Sequence, residues 1–76
     1  MTIPKQSGVY FLIDKKTDKY YVGSAKNLRH RICHHFSSLK NNKHHNPFLQ
    51  RVYNKGRELL VSFVVLPYSL VKSVEQ

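Results

Sequence analysis

Gly8-Val9-Tyr10-Phe11-Leu12-Ile13, then Asp14-Lys15-Lys16-Thr17-Asp18, then Lys19-Tyr20-Tyr21-Val22-Gly23 is the stretch that decides the fold. Val9, Phe11 and Ile13 alternate with Tyr10 and Leu12, the period of a half-buried strand from Gly8 to Ile13. The polar run Asp14 to Asp18 turns the chain, and Lys19 to Gly23 forms a second short strand rich in aromatic and β-branched residues. Together they make a hairpin. A constant pairing sum sets Tyr10 opposite Tyr21 and Leu12 opposite Lys19, which puts both tyrosines on one side of the sheet.

Downstream of the hairpin, Leu28, Ile32, Phe36 and Leu39 recur at helical spacing, with Asn27 or Ser24 available to cap the first turn. Lys40 to His45 is a polar loop. Asn46-Pro47 starts a second helix, because proline has no N–H to lose in the first turn, and Phe48, Leu49, Val52 and Tyr53 form its apolar stripe up to Gly56 as the C′ residue. Leu59 to Leu66 is apolar except for Ser62, the pattern of a central strand covered on both faces, and Pro67 ends it. Ser69 caps a last helix through Leu70, Val71 and Val74, and no terminating signal precedes Gln76. The expected architecture is one α/β (α+β) domain over residues 1–76, a small three-stranded mixed sheet flanked by helices in the order β-β-α-α-β-α.

Thirteen Lys and Arg against four Asp and Glu give a net charge of +9, spread along the chain and not gathered in a tail. A folded basic surface of this kind attracts phosphate backbones by counterion release, with an anionic membrane surface as the competing partner. No stretch is long and apolar enough to span a bilayer, and Met1 to Gly8 lacks a signal-peptide hydrophobic region. The single Cys33 excludes an internal disulfide framework, so an intracellular setting is expected.

Phosphodiester hydrolysis requires an activated water, cations facing the charged phosphorus, and usually a divalent metal held by a carboxylate. Asp14, Asp18 and Glu58 read as solvated loop residues, which leaves Glu75 as the candidate metal ligand. Arg31 and His35 stand four residues apart on one helix face and offer a guanidinium and a proton-transfer group to a single ligand. Tyr10 and Tyr21 supply phenols, which need cationic neighbours such as Arg31 or Lys26 to ionise near neutral pH. His30, Cys33, His34, His35, His44 and His45 invite a zinc reading, but neither a second Cys pair nor an acidic ligand stands at a recognised spacing. A basic, histidine-rich helix lying against phosphate accounts for the same residues.

Gly8-Val9-Tyr10 and Tyr21-Val22-Gly23 resemble the two tripeptides that name the GIY-YIG nuclease superfamily, with valine in place of isoleucine in each. The resemblance continues through Ser24 to Leu28, then Arg31 and His35, and closes on Glu75-Gln76. Within the superfamily the run Tyr21 to Leu28 and His44 look most like the catalytic domain of an intron-encoded homing endonuclease, with the nuclease of bacterial excision repair close behind.

By that resemblance, Tyr10 and Tyr21 position or deprotonate the attacking water, Arg31 stabilises the phosphorus and His35 assists proton transfer. Glu75 holds one Mg²⁺ or Mn²⁺. Lys26, Arg29, His44 and Lys55 are the expected contacts to double-stranded DNA, and Gly8 and Gly23 the structural glycines, Gly23 serving the sharp turn into the first helix. Family domains continue past the glutamate to an asparagine without counterpart here, which implies a domain truncated within its last helix. Homing enzymes carry a separate DNA-binding module, and one is expected in the parent protein. The expected function is metal-dependent DNA cleavage; the alternatives are a non-catalytic nucleic-acid-binding module and an inert fragment of a nuclease.

Overall fold

A computed structural model describes residues 2–74 and places β1 (Gly8–Asp14), β2 (Tyr20–Ala25), α1 (Leu28–Lys40), α2 (Pro47–Asn54), β3 (Leu59–Val65) and α3 (Tyr68–Val74) in that order. The β-β-α-α-β-α α+β unit is the expected one. The strand order is β2-β1-β3, and both ladders are antiparallel. β2 and β3 run in the same direction but do not touch, so no pairing is of the parallel kind that a mixed sheet implies. The tight turn puts β2 on one side of β1, and the two-helix crossover brings β3 to the other.

The hairpin keeps the expected parity but shifts its register by two residues. Tyr10 faces Gly23 and Leu12 faces Tyr21, in place of Tyr21 and Lys19. The cause is the turn. The Asp14 carboxylate accepts the Lys16 N–H at 3.1 Å and the Thr17 hydroxyl at 2.8 Å, the Asp18 N–H reaches the Asp14 carbonyl at 2.8 Å, and Asp18 adopts a φ of 61°. This side-chain-stapled turn consumes residues 15–18 and leaves Asp14 to pair with Lys19. An even shift preserves which side chains share a face, so both tyrosines remain together.

Asp14 itself departs from its expected solvated state. It is fully buried, continuing the inward alternation of Gly8, Tyr10 and Leu12, and its carboxylate lies 3.3 Å from the Arg57 guanidinium. Burial pushes its pKa up, but the Thr17 hydroxyl, the Lys16 N–H and the charges of Arg57 and Lys16 outweigh that and hold it below the ordinary carboxylate value. Asp18 and Glu58 are exposed, Glu58 within 3.6 Å of Lys15.

Tyr10, Leu12, Ala25, Leu28, Ile32, Leu39 and Leu49 form the core between the sheet and the first two helices, with Phe36, Phe48, Leu59, Val61 and Phe63 packed against it. β3 is an edge strand, contrary to the central position its apolar run suggested. Its inward residues alternate with Leu60 and Val64, which are exposed on the outer face beside Val9, Phe11 and Ile13. Continuous hydrophobicity here records an open apolar face and not two covered ones. Gly8 is excluded from bearing a side chain by close approach, since a Cβ would sit 2.2 Å from the Val64 carbonyl oxygen and 2.9 Å from Leu28 Cδ1.

Caps set the helices. Asn27, the nearer of the two candidates, accepts the His30 N–H at 3.1 Å, and Asn46 accepts the N–H groups of Phe48 and Leu49 at 2.9 and 3.2 Å. Gly56 follows the Lys55 cap with a φ of 71°. α3 begins one residue before the expected Ser69 cap, because the Pro67 carbonyl takes the Leu70 and Val71 N–H groups at 2.9 and 3.2 Å. Among the described residues no helix is long and apolar enough to cross a membrane.

Candidate active site

β1 delivers Tyr10 into the core at 1% exposure, and its ring folds across Gly23 on the neighbouring strand. A Cβ on Gly23 would lie 2.4 Å from the Tyr10 hydroxyl. Gly23 therefore sits inside β2 and makes room for a phenol, where a strand-ending turn glycine was expected. Tyr21 lies two positions back on the same face, partly exposed, with its ring centroid 6.4 Å from that of Tyr10.

α1 brings His35 down onto this pair. His35 is buried, its Nε2 lies 2.6 Å from the Tyr10 hydroxyl, and its ring stands 5.3 Å from both tyrosine rings. On its other side Nδ1 lies 2.7 Å from His44 Nε2, the two imidazoles lying edge to edge and near coplanar with centroids 4.9 Å apart. His45 stacks on His44 at 4.7 Å and meets Tyr21 edge-on at 6.4 Å. Two tyrosines and three histidines thus make one continuous ring cluster.

The loop carrying His44 and His45 is fixed by Gln50 of α2. The Gln50 side chain accepts the His44 N–H at 3.0 Å and donates to the Leu39 carbonyl and to Asn54, each at 3.0 Å. His45 and Gln50 lie beyond the sequence-level candidates for catalysis. The His44-His45 pair was a signal for His45, whereas nothing in the sequence singles out Gln50.

Arg31 is exposed, and among the described residues its side chain makes no hydrogen bond or ion pair. Its charge still reaches the site. Burial and Tyr21 push the Tyr10 phenol well above its ordinary value, with Arg31 opposing them. Burial comes first for His35 as well, followed by His44, Arg31, His45 and His34, and together they push it down to about 4. Burial and His45 hold His44 below its ordinary value. Both histidines are therefore neutral at pH 7.

This has a measurable consequence for stability. The unfolded His35 binds a proton near 6.5 while the folded one resists to about 4, so between those values the unfolded chain holds the extra proton and stability falls as pH falls. At about 1.4 kcal/mol per pKa unit, and with some screening at the open rim, the loss is on the order of 2 kcal/mol. The urea midpoint is expected to drop between pH 6.5 and 4, above the range in which Asp14 takes up its proton. A flat midpoint across that window contradicts the buried neutral histidine.

The other expected DNA contacts are dispersed. Lys26 Nζ lies 5.5 Å above the Tyr68 ring, and Arg29 Nε donates to the Ile3 carbonyl at 2.6 Å, tying α1 to the N-terminal segment. Lys55 lines an open groove of about 710 Å³ with His44, His45, Gln50 and Arg51. This groove extends the ring cluster along α2.

Glu75 lies outside the described residues. Among the described residues no group of three or more His, Cys, Asp or Glu is arranged to hold a metal. Asp14, Asp18 and Glu58 all belong to the hairpin-turn end, and the nitrogens of His35 and His44 are engaged in hydrogen bonds. The described donors alone therefore do not fit a hard divalent cation, which needs carboxylate oxygens.

A family model described as the GIY-YIG catalytic domain matches residues 6–70. UvrABC system protein C of Chlamydia caviae is 35% identical over 60 residues, covering 79% of this chain and 10% of that protein. Intron-associated endonuclease 1 of Enterobacteria phage T4 is 40% identical over 50 residues, covering 66% of this chain and 20% of that protein. The chain therefore spans only a small part of these relatives. Among solved structures, the catalytic domain of intron endonuclease I-TevI, determined as a mutant, superposes with a TM-score of 0.72 at 33% identity, over 87% of this chain and 72% of that one.

Proposed function

This chain belongs to the GIY-YIG catalytic domain family, and on that premise we propose that it is an endonuclease domain hydrolysing phosphodiester bonds of double-stranded DNA. The observation that carries the proposal is the buried Tyr10–His35 hydrogen bond at 2.6 Å, beside a half-open Tyr21 and an exposed Arg31. A buried, hydrogen-bonded pair of titratable groups beside a guanidinium that makes no hydrogen bond or ion pair among the described residues is the kind of arrangement that gathers at functional sites.

Tyr21 is the phenol that meets the attacking water. Tyr10 is 1% exposed and held protonated by burial, so it reaches neither solvent nor substrate, whereas Tyr21 lies at the rim. With Tyr21 acting as the phenolate, water attacks phosphorus as its proton passes to the Tyr21 oxygen. The bond from phosphorus to the 3′ oxygen breaks, and that oxygen takes a proton from solvent, leaving 5′-phosphate and 3′-hydroxyl ends. Arg31 meets the non-bridging oxygens as negative charge accumulates there. His35 supports the tyrosines from behind, and the groove with Arg51 and Lys55 receives the backbone of the flanking DNA.

Glu75 would hold a Mg²⁺ or Mn²⁺ ion, which would supply charge neutralisation at the phosphate. In the parent protein a separate DNA-binding module, as in homing endonucleases, supplies most of the target selection.

The test is nicking of supercoiled plasmid by the purified chain with Mg²⁺ or Mn²⁺ against EDTA. Metal-dependent nicking is expected. A folded chain that binds DNA without nicking it in either metal would support a binding module or a fragment needing further residues, and a longer chain then separates those two.

A further inference from the structure

We propose that the backbone amide of Asn46, at the start of α2, fixes the tautomers of His44 and His35 and thereby turns the Tyr10 hydroxyl hydrogen away from His35. A backbone N–H only donates, and that of Asn46 points at His44 Nδ1 from 3.0 Å. His44 Nδ1 must therefore carry a lone pair.

A neutral imidazole has one hydrogen, so that of His44 sits on Nε2, which lies 2.7 Å from His35 Nδ1. His35 Nδ1 is then an acceptor, and its own hydrogen sits on Nε2, 2.6 Å from the Tyr10 oxygen. With that oxygen accepting from His35, the single phenolic hydrogen leaves in another direction. Tyr21 is the other phenol beside it, its ring centroid 6.4 Å from that of Tyr10. The reverse polarity fails at its far end, because it would set a His44 Nδ1–H against the Asn46 N–H at 3.0 Å.

The starting amide is held from several sides. The Asn46 side chain is committed to the Phe48 and Leu49 N–H groups, and Pro47 occupies the first helical position. Two residues earlier, the His44 N–H is taken by Gln50, whose amide orientation is itself set because the Leu39 carbonyl must face its NH₂. The relay runs from a helix start through two rings to a buried phenol, and its product is a hydroxyl hydrogen released from His35 in a phenol whose ring neighbours Tyr21. Such a donor stabilises negative charge on an oxygen that accepts from it. His44 and Asn46 are thus positioning residues, acting through Tyr10 and not on the DNA. The relay is a property of the folded chain, and only its catalytic consequence rests on the nuclease reading.

The experiment is long-range ¹H–¹⁵N correlation of the imidazoles in the whole chain at pH 7, without DNA or metal. His35 and His44 are each expected as a single Nε2–H tautomer, with a coupling between His44 Nε2 and His35 Nδ1 across their hydrogen bond. A resident Nδ1–H on either ring overturns the proposal, whatever the chain does to DNA. Asn46→Pro removes the amide hydrogen and is expected to leave both rings as tautomer mixtures, while Asn46→Ala loses only the capping side chain and keeps the parent spectrum. Parent-like tautomers in a folded Asn46→Pro chain also overturn it; should that variant not fold, the parent spectrum alone decides. Loss of nicking with the expected spectrum would count against the nuclease reading and leave the relay standing.

Discussion

Replacing Gly23 with alanine is expected to slow plasmid nicking by about 100-fold while the chain remains folded. The added methyl would stand 2.4 Å from the Tyr10 hydroxyl oxygen and 2.5 Å from the ring carbon that bears it. Ordinary contact distances are more than an ångström longer. Gly23 pairs directly with Tyr10 across the ladder, so neither strand can slide to relieve the clash without breaking register. The phenol must swing, and its swing lengthens the 2.6 Å bond to His35. Displacement of a catalytic group by about 1 Å is enough for a loss of that size. Overpacking also lowers stability, by about 1–3 kcal/mol, so the rate must be read at a temperature where circular dichroism shows the variant folded. Val22→Ala is the control, since Val22 is exposed on the outer face of the same strand. Parent-like nicking by folded Gly23→Ala would remove Tyr10 from the chemistry.

Local rules reached far in this chain because its elements obey them. Alternation found β1 and β2, helical spacing found α1, and Asn46-Pro47 with Gly56 bracketed α2 to within a residue. Parity carried the site, since the two tyrosines share a face under any even shift of register. The register itself was out of reach, because Asp14 and Thr17 staple the turn through side-chain bonds that spacing does not reveal. Asp14 was misread for the same reason. Its inward position continues the alternation of β1, but a carboxylate is kept inside only when a partner such as Arg57, forty-three residues away, meets it.

The edge placement of β3 was hidden because hydrophobicity marks apolar faces and not the protein that covers them. In the site, Arg31 and His35 were legible from their spacing of four, yet they serve differently, one exposed and one buried. The ring stack beyond them depends on a six-residue loop, residues 41–46, held by Gln50 bridging to Leu39. A loop closed by tertiary hydrogen bonds leaves no period in the sequence.

That difference between Arg31 and His35 frames the second large effect. Arg31→Ala is expected to lower the nicking rate by about 100- to 1,000-fold, the range for removal of one preorganised charge-stabilising donor. Its stability should stay within about 0.5 kcal/mol of the parent, because the side chain is exposed and makes no hydrogen bond or ion pair among the described residues. Two effects act together. The guanidinium leaves the phosphate, and the cation that opposes the upward shift of Tyr10 also disappears, so that phenol becomes harder to ionise. Arg31→Lys separates them: it restores a positive charge near the tyrosines but not the planar two-pronged contact to phosphate oxygens, and is expected to recover only part of the rate. DNA affinity should fall modestly in Arg31→Ala, with the salt slope reduced by about one unit for one lost phosphate contact. An alanine variant that loses affinity in proportion to rate would mark Arg31 as a binding contact only. A rate loss far larger than the affinity loss places its interaction in the transition state, where an exposed arginine beside a buried Tyr–His pair has its use.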